Sequence, residues 1–254
     1  MQLLIDLGNT RLKWATFADG QFSARGAFAL DGVRIEQALD RAWESIGKPD
    51  RVIVASVAPL AIDEDVDALV HQRFGIGAEF VRTPAEALGI RNAYAEPERL
   101  GVDRFLGLAA LHSANARAQV LVGVGTALTL DALDADGAHL GGWIAPSPAL
   151  MREAVLSRTA RVGLADGHLV DIADNTADAL YSGSLYAASG AVERFCANAA
   201  RHLGTWPAVV LTGGGADEIA PLLAGAERVD DLVLRGLALW ATAAESPEIG
   251  RGGR

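Results

Sequence analysis

The spacing of hydrophobic residues along the chain follows two different periods. Residues 3–6 and 119–124 are short apolar runs that stop at glycine-containing turns, which is typical of buried strands. Residues 33–46 carry apolar side chains three and four positions apart, which is typical of a helix with one buried face. The whole pattern predicts strands over residues 3–6, 12–17, 22–30, 51–57, 78–82, 119–124, 128–133, 138–145 and 208–212. It predicts helices over residues 33–46, 62–74, 100–117, 148–158, 176–203 and 231–245, and an irregular segment over residues 84–99.

The predicted strands and helices alternate, which favours an α/β fold. The segment LLIDLGNT at residues 3–10 aligns without gaps with VLVGVGTA at residues 120–127, and both copies open with three strands that helices follow. We therefore predict a duplication, with one half over residues 1–117 and the other over residues 118–254. Two such halves are expected to bring two glycine turns to the two sides of one cleft.

Composition and charge exclude several classes of protein. The chain has 254 residues, half of them hydrophobic, so it can bury a sizeable core. Its 22 basic and 32 acidic side chains leave a net charge of −10, which disfavours a general nucleic-acid binder, because such proteins neutralise phosphates with basic surface. No apolar run has the length of a membrane span, and the N-terminus lacks the basic start of a signal peptide. With Cys196 as the one cysteine, no internal disulfide can form. These features predict a cytoplasmic protein that binds neither nucleic acid nor membrane.

The first glycine turn, DLGNTRLK at residues 6–13, combines groups that suit a phosphate. Gly8 lets backbone N–H groups come close to a ligand. Asp6, at the end of the strand, can hold Mg²⁺ directly or through water, and Lys13, one of only two lysines, can place a positive charge on phosphate oxygens. The same residues could also form a plain β-hairpin with a polar turn.

Three further segments carry candidate chemistry. The turn GVGTA at residues 123–127 lacks the last glycine of a dinucleotide fingerprint and precedes a strand, which argues against a Rossmann-type oxidoreductase. The glycine run at residues 213–215 leaves room for a flat ligand but offers no acid–base group. Asp103 and Arg104 open a predicted helix, where the helix dipole alone favours an aspartate. Asp103 could equally accept a proton from a substrate hydroxyl while Arg104 binds an anionic group.

Taken together and in order, five segments resemble the type III pantothenate kinases. They are DLGNTRLK at 6–13, GVDR at 101–104, GTALTLD at 125–131 with GGWIAP at 141–146, NTADALYSG at 175–183 and LTGGGA at 211–216. The resemblance covers about residues 2–245. It implies the duplicated RNase H-like (actin-like ATPase) fold of the acetate and sugar kinase/Hsp70/actin superfamily, with two similar α/β halves around a nucleotide cleft. It also implies a homodimer with the substrate pocket near the subunit interface, and the ATP-dependent phosphorylation of pantothenate to 4'-phosphopantothenate, the first step of coenzyme A biosynthesis.

The resemblance also implies roles for individual residues. Asp103 is implied to be the catalytic proton acceptor, and Asp6 a ligand of Mg²⁺. The residues implied to bind ATP are Asp6, Leu7, Gly8, Asn9, Thr10, Arg11, Leu12, Lys13, Gly125, Thr126, Gly213 and Gly214. Those implied to bind pantothenate are Tyr94, Gly101, Val102, Asp103, Arg104 and Thr176.

Two positions depart from the family pattern. Gly123 stands where the family usually has an aspartate that is implied to bind K⁺ or NH₄⁺, and residues 146–148 read Pro-Ser-Pro where the family usually has Pro-Gly. Gly123 brings no side-chain oxygen, and Asp131 is predicted to lie well away from the turn. We therefore expect either no monovalent cation or one held weakly by backbone carbonyls and ATP oxygens.

Two alternatives stay open. The first is a regulator of the same superfamily that does not catalyse; the presence of Asp103 and the net charge of −10 count against a DNA-binding version of it. The second is a kinase of another small hydroxyl compound, such as a sugar. Arg104 counts against a neutral sugar, because the carboxylate of pantothenate needs a cationic partner.

Overall fold

The computed structural model describes residues 1–30, 35–158 and 167–245, and the chain forms two compact units. The strands are β1 (Gln2–Leu7), β2 (Arg11–Ala18), β3 (Gln21–Ala29), β4 (Arg51–Ser56), β5 (Ala78–Phe80), β6 (Glu86–Ala87), β7 (Ile90–Arg91), β8 (Gln119–Val124), β9 (Ala127–Leu133), β10 (His139–Pro146), β11 (Ala208–Thr212) and β12 (Glu227–Arg228). The helices are α1 (Ile35–Ala42), α2 (Leu60–Phe74), α3 (Val102–Ala114), α4 (Pro148–Leu156), α5 (Thr176–Leu203), α6 (Ala216–Ile219) and α7 (Leu232–Glu245).

The first unit is built on a five-stranded sheet in the order β3-β2-β1-β4-β5. β1, β2 and β3 are antiparallel neighbours, whereas β4 runs parallel to β1 and β5 parallel to β4. Leu3, Ile5 and Leu7 of β1 belong to one buried core with apolar side chains of α1 and α2. Leu4, which points to the opposite face, is buried as well. Both faces of β1 are therefore covered, which explains why its residues 3–5 are continuously apolar rather than alternating.

The second unit repeats this arrangement. Its five-stranded sheet has the order β10-β9-β8-β11-β12, in which β8 is antiparallel to β9 and parallel to β11. Alternate residues of β8 and β9 pack on the long helix α5, whose Leu185, Val192 and Phe195 lie in the same core. Because strand order and strand directions match those of the first sheet, the predicted duplicated α/β fold is confirmed.

The last helix, α7, belongs to the first unit, although the sequence-based division at residue 117 put it in the second half. Gly236 of α7 lies directly against the backbone of Leu106 in α3, an approach that a larger residue would block. Arg51 of β4 donates a hydrogen bond to the carbonyl of Ala241 over 3.4 Å, which ties α7 to the first sheet. Among the described residues, the first unit therefore comprises Met1–Ala114 together with α7, and the second lies within Asn115–Asp231.

The remaining differences from the predicted elements concern short strands and helices. The segment predicted to be irregular, residues 84–99, contains the small β6–β7 hairpin and one turn of 3₁₀ helix at Pro97–Arg99. The sequence pattern also missed α6 and β12, which have four and two residues. Elements of this length carry too few residues to show a period.

Candidate active site

The first loop, residues 6–13, closes the β1–β2 hairpin. The Gly8 N–H donates to the Arg11 carbonyl over 2.9 Å, so the turn itself is tight. Asp6 and Lys13 are directly opposite each other in the ladder, which puts their side chains on the same face. Both are half-buried, whereas Asn9 is exposed at the tip of the turn. The segment is therefore a β-hairpin with a carboxylate and an ammonium group on one face at its base, an arrangement that is compatible with the predicted phosphate-binding role.

Asp103 lies in the first turn of α3, and its carboxylate is held in place. Its Oδ1 accepts a hydrogen bond from the Arg104 N–H over 2.8 Å. A Cβ added to Gly101 would lie only 2.5 Å from the same oxygen, so the carboxylate folds back over the start of the helix into space that only glycine leaves free. The Phe105 N–H donates to the Gly101 carbonyl over 3.1 Å and closes the first helical turn. Asp103 is half-buried, which leaves it accessible to a ligand.

Arg104 follows Asp103 and is 7% exposed. Its Nη1 donates to the Tyr94 hydroxyl over 3.4 Å, and its guanidinium carbon lies 6.0 Å from the centre of the Tyr94 ring. Tyr94 is positioned by Asn92, whose Oδ1 accepts the Tyr94 N–H over 3.0 Å and whose Nδ2 donates to the Pro97 carbonyl over 3.1 Å. The structure thus brings two of the residues predicted to bind pantothenate into contact. A guanidinium in a protected position suits the planar, bidentate binding of a carboxylate.

In the second unit, the turn between β8 and β9 carries Gly125 and Thr126. The Gly125 N–H donates to the Ala127 carbonyl over 3.0 Å, and both Gly125 and Thr126 are exposed. The Ser147 hydroxyl donates to the Thr126 carbonyl over 3.0 Å and accepts the Leu150 N–H over 3.2 Å. Ser147 therefore caps α4 and fixes the turn at the same time. Sequence reasoning missed this role, although a serine before a proline is a common helix start.

The glycine run after β11 lies against the same turn. Gly213 has φ +96°, and a Cβ there would lie 2.5 Å from the carbonyl oxygen of Val124. The Gly215 N–H donates to that oxygen over 3.0 Å. Gly214, in contrast, is exposed, with no atom within 4 Å of the place where a Cβ would stand. The glycine run therefore packs on Val124, which precedes the β8–β9 turn, so the two segments predicted to bind ATP in this unit are neighbours, and Thr126 carries an exposed side chain there.

Thr176 is the first residue of α5 and is exposed. Asn175 caps this helix by accepting the Asp178 N–H over 3.0 Å. The Asn175 amide and the His168 N–H both donate to the Asp178 carboxylate, and these hydrogen bonds hold the pKa of Asp178 below its ordinary value. The helix start that carries Thr176 is therefore well ordered by its own side chains.

The position predicted to lack a cation ligand, Gly123, lies opposite Thr129 in the β8–β9 ladder. A Cβ on Gly123 would be 2.5 Å from the Thr129 hydroxyl oxygen. Asp131 is two residues further along β9, and its Oδ1 is 2.9 Å from Nε2 of His139 in a pair that is almost completely buried. A hydroxyl group thus occupies the space beside Gly123, and the nearest carboxylate along the strand is already bound to a histidine.

The described part of the chain contains no group of three or more His, Cys, Asp or Glu side chains that could hold a metal ion by itself. Asp6, the residue predicted to hold Mg²⁺, is a half-buried carboxylate near the end of β1. No helix within residues 1–30, 35–158 and 167–245 is long and apolar enough to cross a membrane.

Comparison with known proteins identifies the family. A family model described as type III pantothenate kinase matches residues 2–198. The chain is 45% identical over 250 residues to the type III pantothenate kinase of Xanthomonas oryzae pv. oryzae, which covers 96% of this chain and 98% of the relative.

Solved structures share the fold at low sequence identity. Component A of (R)-2-hydroxyglutaryl-CoA dehydratase from Acidaminococcus fermentans is 12% identical with a TM-score of 0.56, and the similarity covers 96% of this chain and 99% of that one. MreB 5 of Spiroplasma citri bound to AMPPNP is 10% identical with a TM-score of 0.50, and 96% of each chain is covered. These structures support the actin-like ATPase fold, and the family model and the curated relative show that the chain belongs to the type III pantothenate kinases.

Proposed function

We propose that Asp103 is the general base of the reaction of this family, the ATP-dependent phosphorylation of pantothenate that begins coenzyme A biosynthesis. The observation that carries the proposal is the pairing of a fixed, accessible carboxylate with a protected cation at the start of α3. Asp103 is held by the Arg104 N–H, and the Arg104 side chain reaches Tyr94. A base and a carboxylate-binding group on neighbouring residues suit a substrate that carries both a hydroxyl and a carboxylate.

In this mechanism the substrate's terminal hydroxyl oxygen attacks the γ-phosphorus of ATP. The hydroxyl proton passes to the Asp103 carboxylate, the bond from the γ-phosphorus to the β–γ bridging oxygen breaks, and ADP leaves. The products are 4'-phosphopantothenate and ADP. Arg104 and Tyr94 hold the substrate's carboxylate end, and Gly101 and Val102 contribute to that binding site; a substrate-binding role is also proposed for Thr176. Phosphoryl transfer depends mainly on such positioning and on electrostatic stabilisation.

We propose ATP-binding roles for residues 6–13 of the first unit and, separately, for the glycine turns of the second unit. In the first unit, residues 6–13 contact the phosphates, with Lys13 supplying positive charge and Asp6 holding Mg²⁺. Bound Mg²⁺ supplies charge neutralisation to the phosphate oxygens. In the second unit, Gly125 and Thr126 contact the phosphates, and Gly213 and Gly214 contact the adenosine. The lack of a side chain at Gly213 and Gly214 supports the assignment, because a Cβ at Gly213 would strike the neighbouring backbone and Gly214 is open to a flat ring.

The residues around Gly123 do not fit a tightly bound monovalent cation. K⁺ and NH₄⁺ need several oxygen ligands, and here the space beside Gly123 is filled by the Thr129 hydroxyl while Asp131 pairs with His139. We therefore propose that this chain either works without the cation or binds it weakly. No step of the mechanism above uses it.

A homodimer is proposed on the strength of the family resemblance and of an exposed apolar surface in the second unit. Leu140, Trp143 and Ile144 of β10 are 43, 40 and 66% exposed. The Trp143 ring packs against Phe195 of α5, whereas Ile144, the next residue, points to the opposite face of the sheet, and exposed apolar side chains such as Ile144 often mark interaction surfaces. Sedimentation equilibrium tests the assembly directly. The cytoplasmic location stays a prediction from the sequence.

The substrate assignment is tested by ADP release from the purified protein with ATP and pantothenate. The same assay with glucose, glycerol and acetate distinguishes a kinase of another hydroxyl compound, and no ADP release with any acceptor would favour a regulator without catalysis. With ATP present, we expect rapid ADP release when pantothenate is the acceptor and not with glucose, glycerol or acetate. Faster release with a sugar would overturn the assignment of Arg104.

A further inference from the structure

A short hydrogen bond joins the end of β4 to the start of α2. The Ser56 hydroxyl donates to Oδ1 of Asp63 over 2.5 Å and accepts the Ala58 N–H over 3.2 Å. Ser56 is the last residue of β4, and Asp63 lies in the first turn of α2. The hydroxyl is therefore used both as donor and as acceptor, and the turn at residues 56–58 is fixed from both sides.

This turn contacts the first loop. The Val57 N–H donates to the Leu7 carbonyl over 3.0 Å, and Ser56 and Leu7 are partners in the parallel β1–β4 ladder. Leu7 is the last residue of β1, at the point where the proposed ATP-binding loop leaves the sheet. A displacement of the turn would therefore be transmitted to the base of that loop.

The same turn contacts the start of α3. Cγ1 of Val57 is 3.8 Å from the place where a Cβ on Gly101 would stand, and that place is 2.5 Å from Oδ1 of Asp103. Val57 is thus bound to the strand that leads to the ATP loop and lies close to the start of α3, where Gly101 leaves space beneath the Asp103 carboxylate. Its backbone is held by the Ser56–Asp63 hydrogen bond.

We propose that Ser56 and Asp63 are positioning residues for phosphoryl transfer, which set the Asp103 carboxylate relative to the ATP loop through Val57. The inference rests on the proposed role of Asp103. A simpler role for Asp63, capping α2, does not account for the contact, because Asp63 accepts from a side chain outside the helix and the cap residue, Pro59, makes no side-chain cap hydrogen bond.

The test compares steady-state kinetics of Ser56→Ala, Ser56→Thr and Asp63→Asn with those of the parent protein. Misplacement of reacting groups by about 1 Å can cost about 10²-fold in rate. We expect kcat of Ser56→Ala to fall about 10- to 100-fold while KM for ATP stays within about twofold. Ser56→Thr keeps the hydroxyl and should restore most of kcat. Asp63→Asn keeps an acceptor oxygen but loses the negative charge, so its kcat should lie between those of Ser56→Ala and Ser56→Thr.

The matched control is Asp67→Asn. Asp67 lies one turn further along α2 and accepts the Ala78 N–H over 2.7 Å, away from residues 56–58. It should lower the urea midpoint about as much as Asp63→Asn but leave kcat near the parent value. Equal kcat losses in the two Asn variants, or a normal kcat in Ser56→Ala, would overturn the positioning role.

Asp103→Asn is measured alongside to separate two failures. If Asp103→Asn loses activity and Ser56→Ala keeps it, only the positioning inference fails. If Asp103→Asn stays active, the proposed base itself is wrong. Ser56→Ala protein that does not fold leaves Asp63→Asn and Asp67→Asn as the deciding pair.

Discussion

Replacing Gly101 with alanine should slow catalysis without destabilising the fold. The added methyl group would stand 2.5 Å from Oδ1 of Asp103, whereas ordinary van der Waals contact begins at 3.4 Å, so the carboxylate must move by roughly 0.9 Å. That movement would also break the 2.8 Å hydrogen bond from the Arg104 N–H. The added methyl group would be 3.8 Å from Cγ1 of Val57, which is an ordinary van der Waals contact, so Val57 does not need to move.

The expected magnitude follows from this displacement. A misplacement of about 1 Å costs about 10²-fold in rate, which corresponds to about 2.7 kcal/mol of activation free energy. Gly101 does not have a left-handed backbone conformation, so alanine fits its backbone and should raise the free energy of unfolding by about 0.4–1 kcal/mol, offset by the cost of moving the Asp103 side chain.

The assay is ADP release at saturating ATP and pantothenate, together with a urea unfolding curve. We expect kcat to fall about 100-fold, with KM for ATP and the urea midpoint nearly unchanged. The control is Gly47→Ala in the same unit, where an added Cβ meets nothing within 4 Å, and it should behave like the parent. A kcat of Gly101→Ala within about twofold of the parent would refute the placement or the role of Asp103.

The remaining predictions concern both units. Lys13→Ala should lower kcat/KM for ATP about 10- to 100-fold, because it removes a charged hydrogen-bond donor that contributes about 1.5–3 kcal/mol. Asp6→Asn should instead raise the Mg²⁺ concentration needed for half-maximal rate. If both variants titrate with ATP and Mg²⁺ like the parent, residues 6–13 form a hairpin without a role in ATP binding. At matched ionic strength, the parent enzyme should show no saturable activation by K⁺ over Na⁺, whereas Gly123→Asp should gain such activation. This variant should be less stable than the parent, because the new side chain displaces the Thr129 hydroxyl. Strong K⁺ activation of the parent would contradict the role given to Gly123. Burial raises the pKa of the Cys196 thiol from 9.0 to about 11, so the stability contributed by the neutral thiol should be complete below pH 9 and lost as the pH rises towards 11. A thiol reagent at pH 8 should label Cys196 only after the protein unfolds. Prompt labelling of the native protein would contradict this burial.

The element pattern could be predicted because the strands and helices of this chain differ clearly in period and length. The central strands β1 and β8 are covered on both faces, which explains the continuous apolar runs at residues 3–5 and 120–122. The placement of α7 could not be predicted. An amphipathic pattern shows that a helix has a buried face, but it does not show which element covers that face. Here α7 packs in the first unit, where Gly236 lies against the backbone of Leu106, a residue 130 positions away in the sequence.

The candidate site shows the same limit. Its loops could be predicted, because glycine turns at strand ends and the GVDR segment are contiguous in the sequence, and Tyr94 came from the family resemblance. Its supporting contacts could not. Ser56 and Asp63 are ordinary residues in their own segments, and only the folded chain brings the hydroxyl to the carboxylate. Ser147 shows its helix-capping role in the sequence, but its bond to the Thr126 carbonyl depends on how β10 returns beside β9.

The most direct test of the account is the turnover of Asp103→Asn with ATP and pantothenate, measured together with the affinity for ATP by calorimetry. Asparagine keeps the shape of the side chain and its hydrogen bond to the Arg104 N–H, but it does not accept the hydroxyl proton. Loss of a general base typically costs about 10²- to 10⁴-fold in rate. The account predicts a fall of that size in kcat with ATP affinity within about twofold of the parent. Turnover close to that of the parent protein would contradict it.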